Sequence, residues 1–151
     1  MKYYLAYGSN LSVSQMIRRC PTATYVGKTW IQDHRLLFRG SMTGNYLTIE
    51  PMKGREVPAL IWRIEEQDEE RLDVYEGYPN FYTKKELLVT AWDLLANSPV
   101  DLVDAMVYIM TGNRPKGGPT RSYFNTCLEG YERFGFNKDI LYTALEESIG
   151  A

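Results

Sequence analysis

Strand-forming residues dominate this chain from Lys2 to Met110, and its two longer helical patterns come only after them. A chain that alternated strand and helix would build a parallel sheet from βαβ units. Strands in a run, with the longer helices gathered at one end, build an α+β fold instead. Lys2–Tyr7 reads as the first strand, Phe81–Trp92 as a long alternating one and Val103–Met110 as another. Thr22–Phe38 is rich in strand formers but broken near Gln32-Asp33-His34, and Tyr46–Glu50 and Val57–Ile64 read as two strands joined by the turn-rich Pro51–Glu56. Ser12–Arg19 reads as a short helix capped by Ser12 and ended by Pro21, and Glu65–Tyr75 as an acidic amphipathic helix stopped by Gly77, Tyr78 and Pro79. Thr120–Phe134 and Lys138–Ile149 read as helices split by Gly135, and the glycines and prolines of Gly112–Pro119 mark a loop. Many short antiparallel strands in 151 residues predict a closed or nearly closed small β-barrel with flanking helices. No linker, repeat or low-complexity tract interrupts the pattern, so a single domain over residues 1–151 is expected.

Composition removes several function classes. The net charge of −2 leaves no electrostatic footprint for nucleic acid. No apolar run approaches a membrane span, and the N-terminal segment lacks a cleavage signature, so no membrane association and a cytoplasmic location are expected. Cys20 and Cys127, far apart and without CxxC spacing, read as free thiols. His34 is the lone histidine, too few for a His-rich metal site, and without a GxSxG elbow it does not read as part of a nucleophilic triad. Gly112–Gly118 is a near miss for a phosphate loop: the required Lys and Ser/Thr are absent, and Pro115 and Pro119 remove backbone donors. What remains are carboxylates, twelve tyrosines and one glycine-containing strand end. That combination suits acid/base work on a small polar substrate, without metal or cofactor, or no catalysis at all.

Two stretches stand out. In Tyr7-Gly8-Ser9-Asn10-Leu11, glycine lets the backbone approach a ligand closely, and the consecutive N–H groups before a helix start can seat a carboxylate. The same residues equally suit a plain strand-to-helix turn capped by Asn10 or Ser12. In Leu72-Asp73-Val74-Tyr75-Glu76-Gly77-Tyr78-Pro79, Glu76 closes an acidic helix. The negative end of the helix dipole, repulsion from Glu69, Glu70 and Asp73, and desolvation by Tyr75, Tyr78 and Phe81 would each raise its pKa toward the range useful for proton transfer. The alternative is a solvated glutamate on a polar helix face.

At these residues the chain resembles the γ-glutamylcyclotransferase-like, or AIG2-like, family. "YGSNL" ends the first strand and an acidic helix runs into "YEGYPNFY"; between and beyond them "DHRLLFRG", "NYLTIEP", "VPALIWRI", "MVYIM" and "PTRSYFNTCLEGYERFGF" extend the resemblance over nearly the whole chain. The resemblance implies a small mixed β-barrel with flanking helices. It also implies an enzyme that cyclises a γ-glutamyl group to 5-oxoproline and releases the attached amine without metal or cofactor. On that basis Glu76 is the general base, and the loop of Tyr7, Gly8, Ser9, Asn10 and Leu11 seats the γ-glutamyl part. Tyr108 and Tyr82 line the pocket. The implied partner is a small γ-glutamyl substrate; nothing in the sequence decides between a monomer and a homodimer. The family also holds proteins without an assigned reaction, so a non-catalytic module binding a glutamyl-like metabolite stands as the alternative. A third reading, an interaction protein docking through an apolar face of Tyr123–Phe134, competes with packing of that helix on the barrel.

Overall fold

The computed structural model describes residues 1–41 and 43–150. Five strands form a closed barrel: β1 (Lys2–Ala6), β2 (Thr24–Ser41), β3 (Gly44–Ile64), β4 (Tyr82–Trp92) and β5 (Pro99–Met110), in the order β1-β3-β2-β4-β5. All neighbours are antiparallel except β1 and β5, which meet in parallel through Tyr3–Ala105 and Tyr4–Met106. β1 therefore has a partner on both edges, and the unbroken burial of Tyr4, Leu5 and Ala6 shows that both of its faces are covered there. β2 and β3 form the longest ladder, while β2 meets β4 at Lys28–Trp92 alone.

The barrel core is filled by Leu5, Ile31, Leu36, Phe38, Leu47, Ile49, Leu60 and Trp62, each almost fully buried. β3 is one strand where two were expected. Pairing with β2 continues on both sides of Pro51–Glu56, and the expected turn is a bulge. Its residues loop over Asp33, whose carboxylate accepts the Gly54 N–H at 3.0 Å and whose own φ is +57°. The break read at Gln32-Asp33-His34 is the other half of that irregularity.

A 3-10 turn (Ser9–Leu11) leads from β1 into α1 (Val13–Arg19), whose first turn is capped by Ser12 through the Gln15 N–H. α2 (Glu66–Glu76) crosses between β3 and β4. At its start the fully buried Asp68 accepts the Glu65 N–H at 2.9 Å and the Thr22 hydroxyl at 2.7 Å. It stops because Gly77 takes a left-handed conformation, φ +66°, and folds its N–H back onto the last turn. α3 (Arg121–Phe134) and α4 (Lys138–Ile149) end the chain, capped by Thr120 and Asn137. The buried face of α3, Cys127, Gly130, Tyr131 and Phe134, packs on the barrel rather than outward. At Gly130 a β-carbon would collide with the β-carbon of Leu11, so this glycine lets the helix press directly on the 3-10 turn.

Both cysteines are buried and free. Burial pushes the Cys20 thiol up to about 11 and the Cys127 thiol up to about 12, so neither is a reactive thiolate. Among the described residues no helix is long and apolar enough to cross a membrane. Among the described residues, too, no cluster of His, Cys, Asp and Glu could hold a metal ion.

Candidate active site

The residues that follow β1, the end of α2 and the starts of β4 and α3 converge on a cavity of about 360 Å³. Its walls include seven tyrosines: Tyr4, Tyr7, Tyr46, Tyr75, Tyr82, Tyr108 and Tyr123. Glu76 is the one charged side chain among its described lining residues. β1 supplies Tyr4 directly and, just beyond its end, Tyr7, Gly8, Ser9 and Asn10. α2 supplies Glu76 from its last turn because Gly77 ends the helix at that point.

Burial pushes the Glu76 carboxyl up to about 7, with the Arg19 guanidinium pulling the other way. Of the causes read from sequence, desolvation operates. Tyr75 and Phe81 line the cavity as expected, whereas Tyr78 is outside it, against the Lys84 ammonium at 4.2 Å. The acidic neighbours Glu69, Glu70 and Asp73 do not contribute to the rise, and Lys84 holds Glu69 at 2.7 Å and Asp73 at 2.9 Å. Burial also raises the phenols of Tyr4, Tyr7, Tyr82, Tyr108 and Tyr123, and charge on Glu76 raises all five further. Each of these phenols stays protonated near neutral pH and can act only as a hydrogen-bond group, not as a base.

The tyrosines divide by what their hydroxyls do. Tyr7 donates to the Tyr108 carbonyl at 2.6 Å, Tyr82 to the Leu47 carbonyl at 2.7 Å and Tyr108 to the Asp73 carboxylate at 2.7 Å. These three brace the wall and present ring surface. Tyr4 instead accepts from the Asn10 amide at 2.9 Å, and Tyr123 accepts the Leu47 N–H at 3.1 Å. Tyr4 keeps its own proton as a donor for the cavity, whereas the Tyr123 hydroxyl also lies within reach of the Cys127 thiol. Neither stood out in the sequence. Tyr123 is on a helix more than forty residues beyond Glu76, and its only signal was its membership of the "PTRSYFNTC" stretch.

The loop after β1 is held from three sides. The Arg19 guanidinium stacks on the Tyr75 ring, 3.4 Å from its centroid, and donates to the Asn10 side-chain carbonyl; Ser9 Oγ meets the Tyr75 hydroxyl at 3.1 Å. Among the described residues no hydrogen-bond acceptor meets the N–H groups of Gly8, Ser9 and Asn10. Leu11 differs from the sequence expectation. Its N–H closes the 3-10 turn on the Gly8 carbonyl at 3.1 Å, and its side chain is fully buried beneath α3. It anchors the loop instead of lining the cavity. Ser12, not Asn10, is the helix cap, so the two uses considered for this stretch are divided between neighbouring residues. His34 sits at the β2 bulge, with Nδ1 at 2.9 Å from the Gln32 carbonyl, and takes no part in the cavity.

The profile of the γ-glutamyl cyclotransferase, AIG2-like family matches residues 4–139. The chain belongs to that family. The human γ-glutamylcyclotransferase is 27% identical over 139 residues, which is 87% of this chain and 71% of the human protein. A mouse protein of the same name is 35% identical over 81 residues, a match spanning 49% of this chain and only 43% of the mouse protein. A solved structure described as a γ-glutamyl cyclotransferase superposes with a TM-score of 0.81 over 95% of this chain and 85% of that one; at 24% identity, it speaks for a shared fold. The small mixed barrel with flanking helices is thus the fold of this family.

Proposed function

We propose that this chain cyclises a γ-glutamyl amide to 5-oxoproline and releases the attached amine, with Glu76 moving the proton. The observation that carries this reading is Glu76 itself: a single charged group in a tyrosine-walled cavity, with its pKa pushed up to about 7. A carboxyl poised there can take a proton and return it at nearly equal cost, which is what a one-residue acid/base catalyst needs. The relatives named γ-glutamylcyclotransferase support the same chemistry.

The steps balance without a co-reactant. Ionised Glu76 takes a proton from the substrate's α-ammonium group. The freed nitrogen attacks the side-chain amide carbon, forming the ring C–N bond. The bond to the leaving nitrogen breaks as that nitrogen receives the proton from Glu76, and the ring nitrogen gives up its second proton through Glu76, so that the amine departs as an ammonium. The attack is intramolecular, so holding the glutamyl chain bent supplies much of the acceleration. The unengaged N–H groups of Gly8, Ser9 and Asn10, with the Tyr4 hydroxyl, suit the negative charge of the substrate carboxylate or of the amide oxygen during attack.

The test is release of 5-oxoproline from a panel of γ-glutamyl dipeptides and γ-glutamyl amines, wild type beside Glu76→Gln. Turnover by the wild type and a loss of about 10²–10⁴-fold in the variant are expected. Turnover that survives in Glu76→Gln removes Glu76 as the base. Silence across the panel from a folded protein that still binds γ-glutamyl compounds would make the chain a binding module.

A further inference from the structure

The nature of the departing amine is set at the cavity's open side, where Ser41, Thr43, Val74, Tyr75 and Gly77 are the exposed lining residues and Phe81 is half-buried. Behind Phe81, and not itself lining the cavity, lies a guanidinium. Arg114 lies in the segment joining β5 to α3, and that segment is fastened to the end of β2. The Arg39 guanidinium donates to the Arg114 carbonyl at 2.8 Å and the Gly40 N–H to the Pro115 carbonyl at 3.2 Å. Ser41, on the cavity rim, is the next residue. The Arg114 guanidinium itself covers the Phe81 ring, 4.3 Å from its centroid.

This cation is under-used by the protein. Its Nη2 reaches only two neutral oxygens, the Asn80 carbonyl and Thr111 Oγ1, both at 3.5 Å. Its Nε is buried with no hydrogen-bond partner among the described residues. The other half-buried arginines of the barrel behave differently: Arg35 and Arg39 share Glu50, and Arg55 grips Glu147. A partly desolvated guanidinium without a carboxylate is an unfavourable arrangement that a bound anion relieves. Glu76 is the one charged group among the described lining residues, and the other nearby guanidinium, Arg19, is already engaged with the Asn10 side-chain carbonyl, which leaves Arg114 as the less occupied cation for a second carboxylate on the substrate.

We propose that Arg114 is the subsite for the carboxylate of a departing amino acid, so that this chain prefers γ-glutamyl amino acids to γ-glutamyl amines that lack one. The proposal rests on the cyclotransferase reading of the cavity. With the glutamyl end held between the Gly8–Asn10 loop and Glu76, the leaving group points to the rim. A planar guanidinium stacked on an aromatic ring is pre-oriented for a carboxylate in a way that a lysine ammonium is not.

γ-Glutamyl-alanine and γ-glutamyl-ethylamide test it, because their leaving groups differ only by the carboxylate. The wild type is expected to show a KM about tenfold lower for the alanine compound. Arg114→Gln is expected to raise that KM about tenfold, and to affect the alanine compound at least fivefold more than the ethylamide; Arg114→Lys should recover part of the difference. Equal effects on both compounds, or none on γ-glutamyl-alanine, overturn the proposal. The same pair is measured by calorimetric binding to Glu76→Gln, with and without Arg114→Gln. There the expected outcome is an affinity loss of about tenfold confined to γ-glutamyl-alanine, and its absence overturns the proposal. This arm separates the two ideas: carboxylate-selective binding without any wild-type turnover refutes the cyclotransferase chemistry and leaves the Arg114 subsite standing.

Discussion

Glu76 is held between opposing influences, burial raising its pKa and the Arg19 guanidinium lowering it. Since the proposed base must be ionised to work, activity should rise with pH and reach half its plateau near pH 7. Arg19→Gln removes the lowering influence, so this limb should move to higher pH by roughly one unit. Arg19→Lys keeps the charge without the stacking on Tyr75 and should move it less. A limb that stays put in Arg19→Gln would mean that the arginine merely braces the loop. At this scale the sequence was legible where chemistry and position were both unusual: a glutamate at a helix C-terminus followed by glycine, and a glycine, hydroxyl and amide in a row after a strand. It was silent on Tyr4 and Tyr123, because a tyrosine's role here depends on whether its oxygen donates or accepts, and partners such as the Leu47 N–H are fixed only by the fold. It was misleading on Leu11, since an apolar residue in a binding motif can serve by being buried under the loop.

The elements hold the residues proposed for that chemistry, and α2 shows how. One end is fixed by Asp68, the other is cut off by Gly77, and Glu76 is placed by both. Asp68→Ala would remove the acceptor for the Glu65 N–H and the Thr22 hydroxyl together. A loss of about 2 kcal/mol in unfolding free energy is expected, read from denaturant melts near neutral pH. A loss below roughly 0.5 kcal/mol would show that water replaces the carboxylate, and that the cap does not hold the helix. Helix limits were largely readable, because caps and glycine stops are local signals. Strand limits were less so. Pro51–Glu56 carries turn composition, yet β3 runs through it, since a β-bulge uses the same residues as a turn and only pairing with β2 on both sides distinguishes them.

For the molecule as a whole, barrel closure was legible as a class but not as a strand order. The β1–β3 and β2–β4 pairings and the parallel β1–β5 contact join residues roughly sixty to a hundred positions apart, and no local signal specifies them. The closed barrel buries the carboxyl of Glu76, and that burial has a global consequence. The folded protein holds the Glu76 proton to about pH 7, whereas the unfolded chain releases it near 4.5. Stability linked to this group is therefore complete below pH 4.5 and is lost as pH rises through 7. Full ionisation of such a group costs ~3 kcal/mol, an upper figure for a side chain that is not wholly enclosed. Glu147, lowered by its hydrogen bonds from Arg55, acts in the opposite sense and contributes stability that is lost in acid. Comparing Glu76→Gln with the wild type at each pH cancels such terms. The variant should melt at nearly the wild-type temperature at pH 4.5, and up to roughly 5–10 °C above it at pH 8.5. That would be the gain expected when a site kept for proton transfer is relieved of its buried charge. A difference that does not grow between pH 5 and pH 8 would place the Glu76 carboxylate in water, and would remove the physical basis for its role as the base.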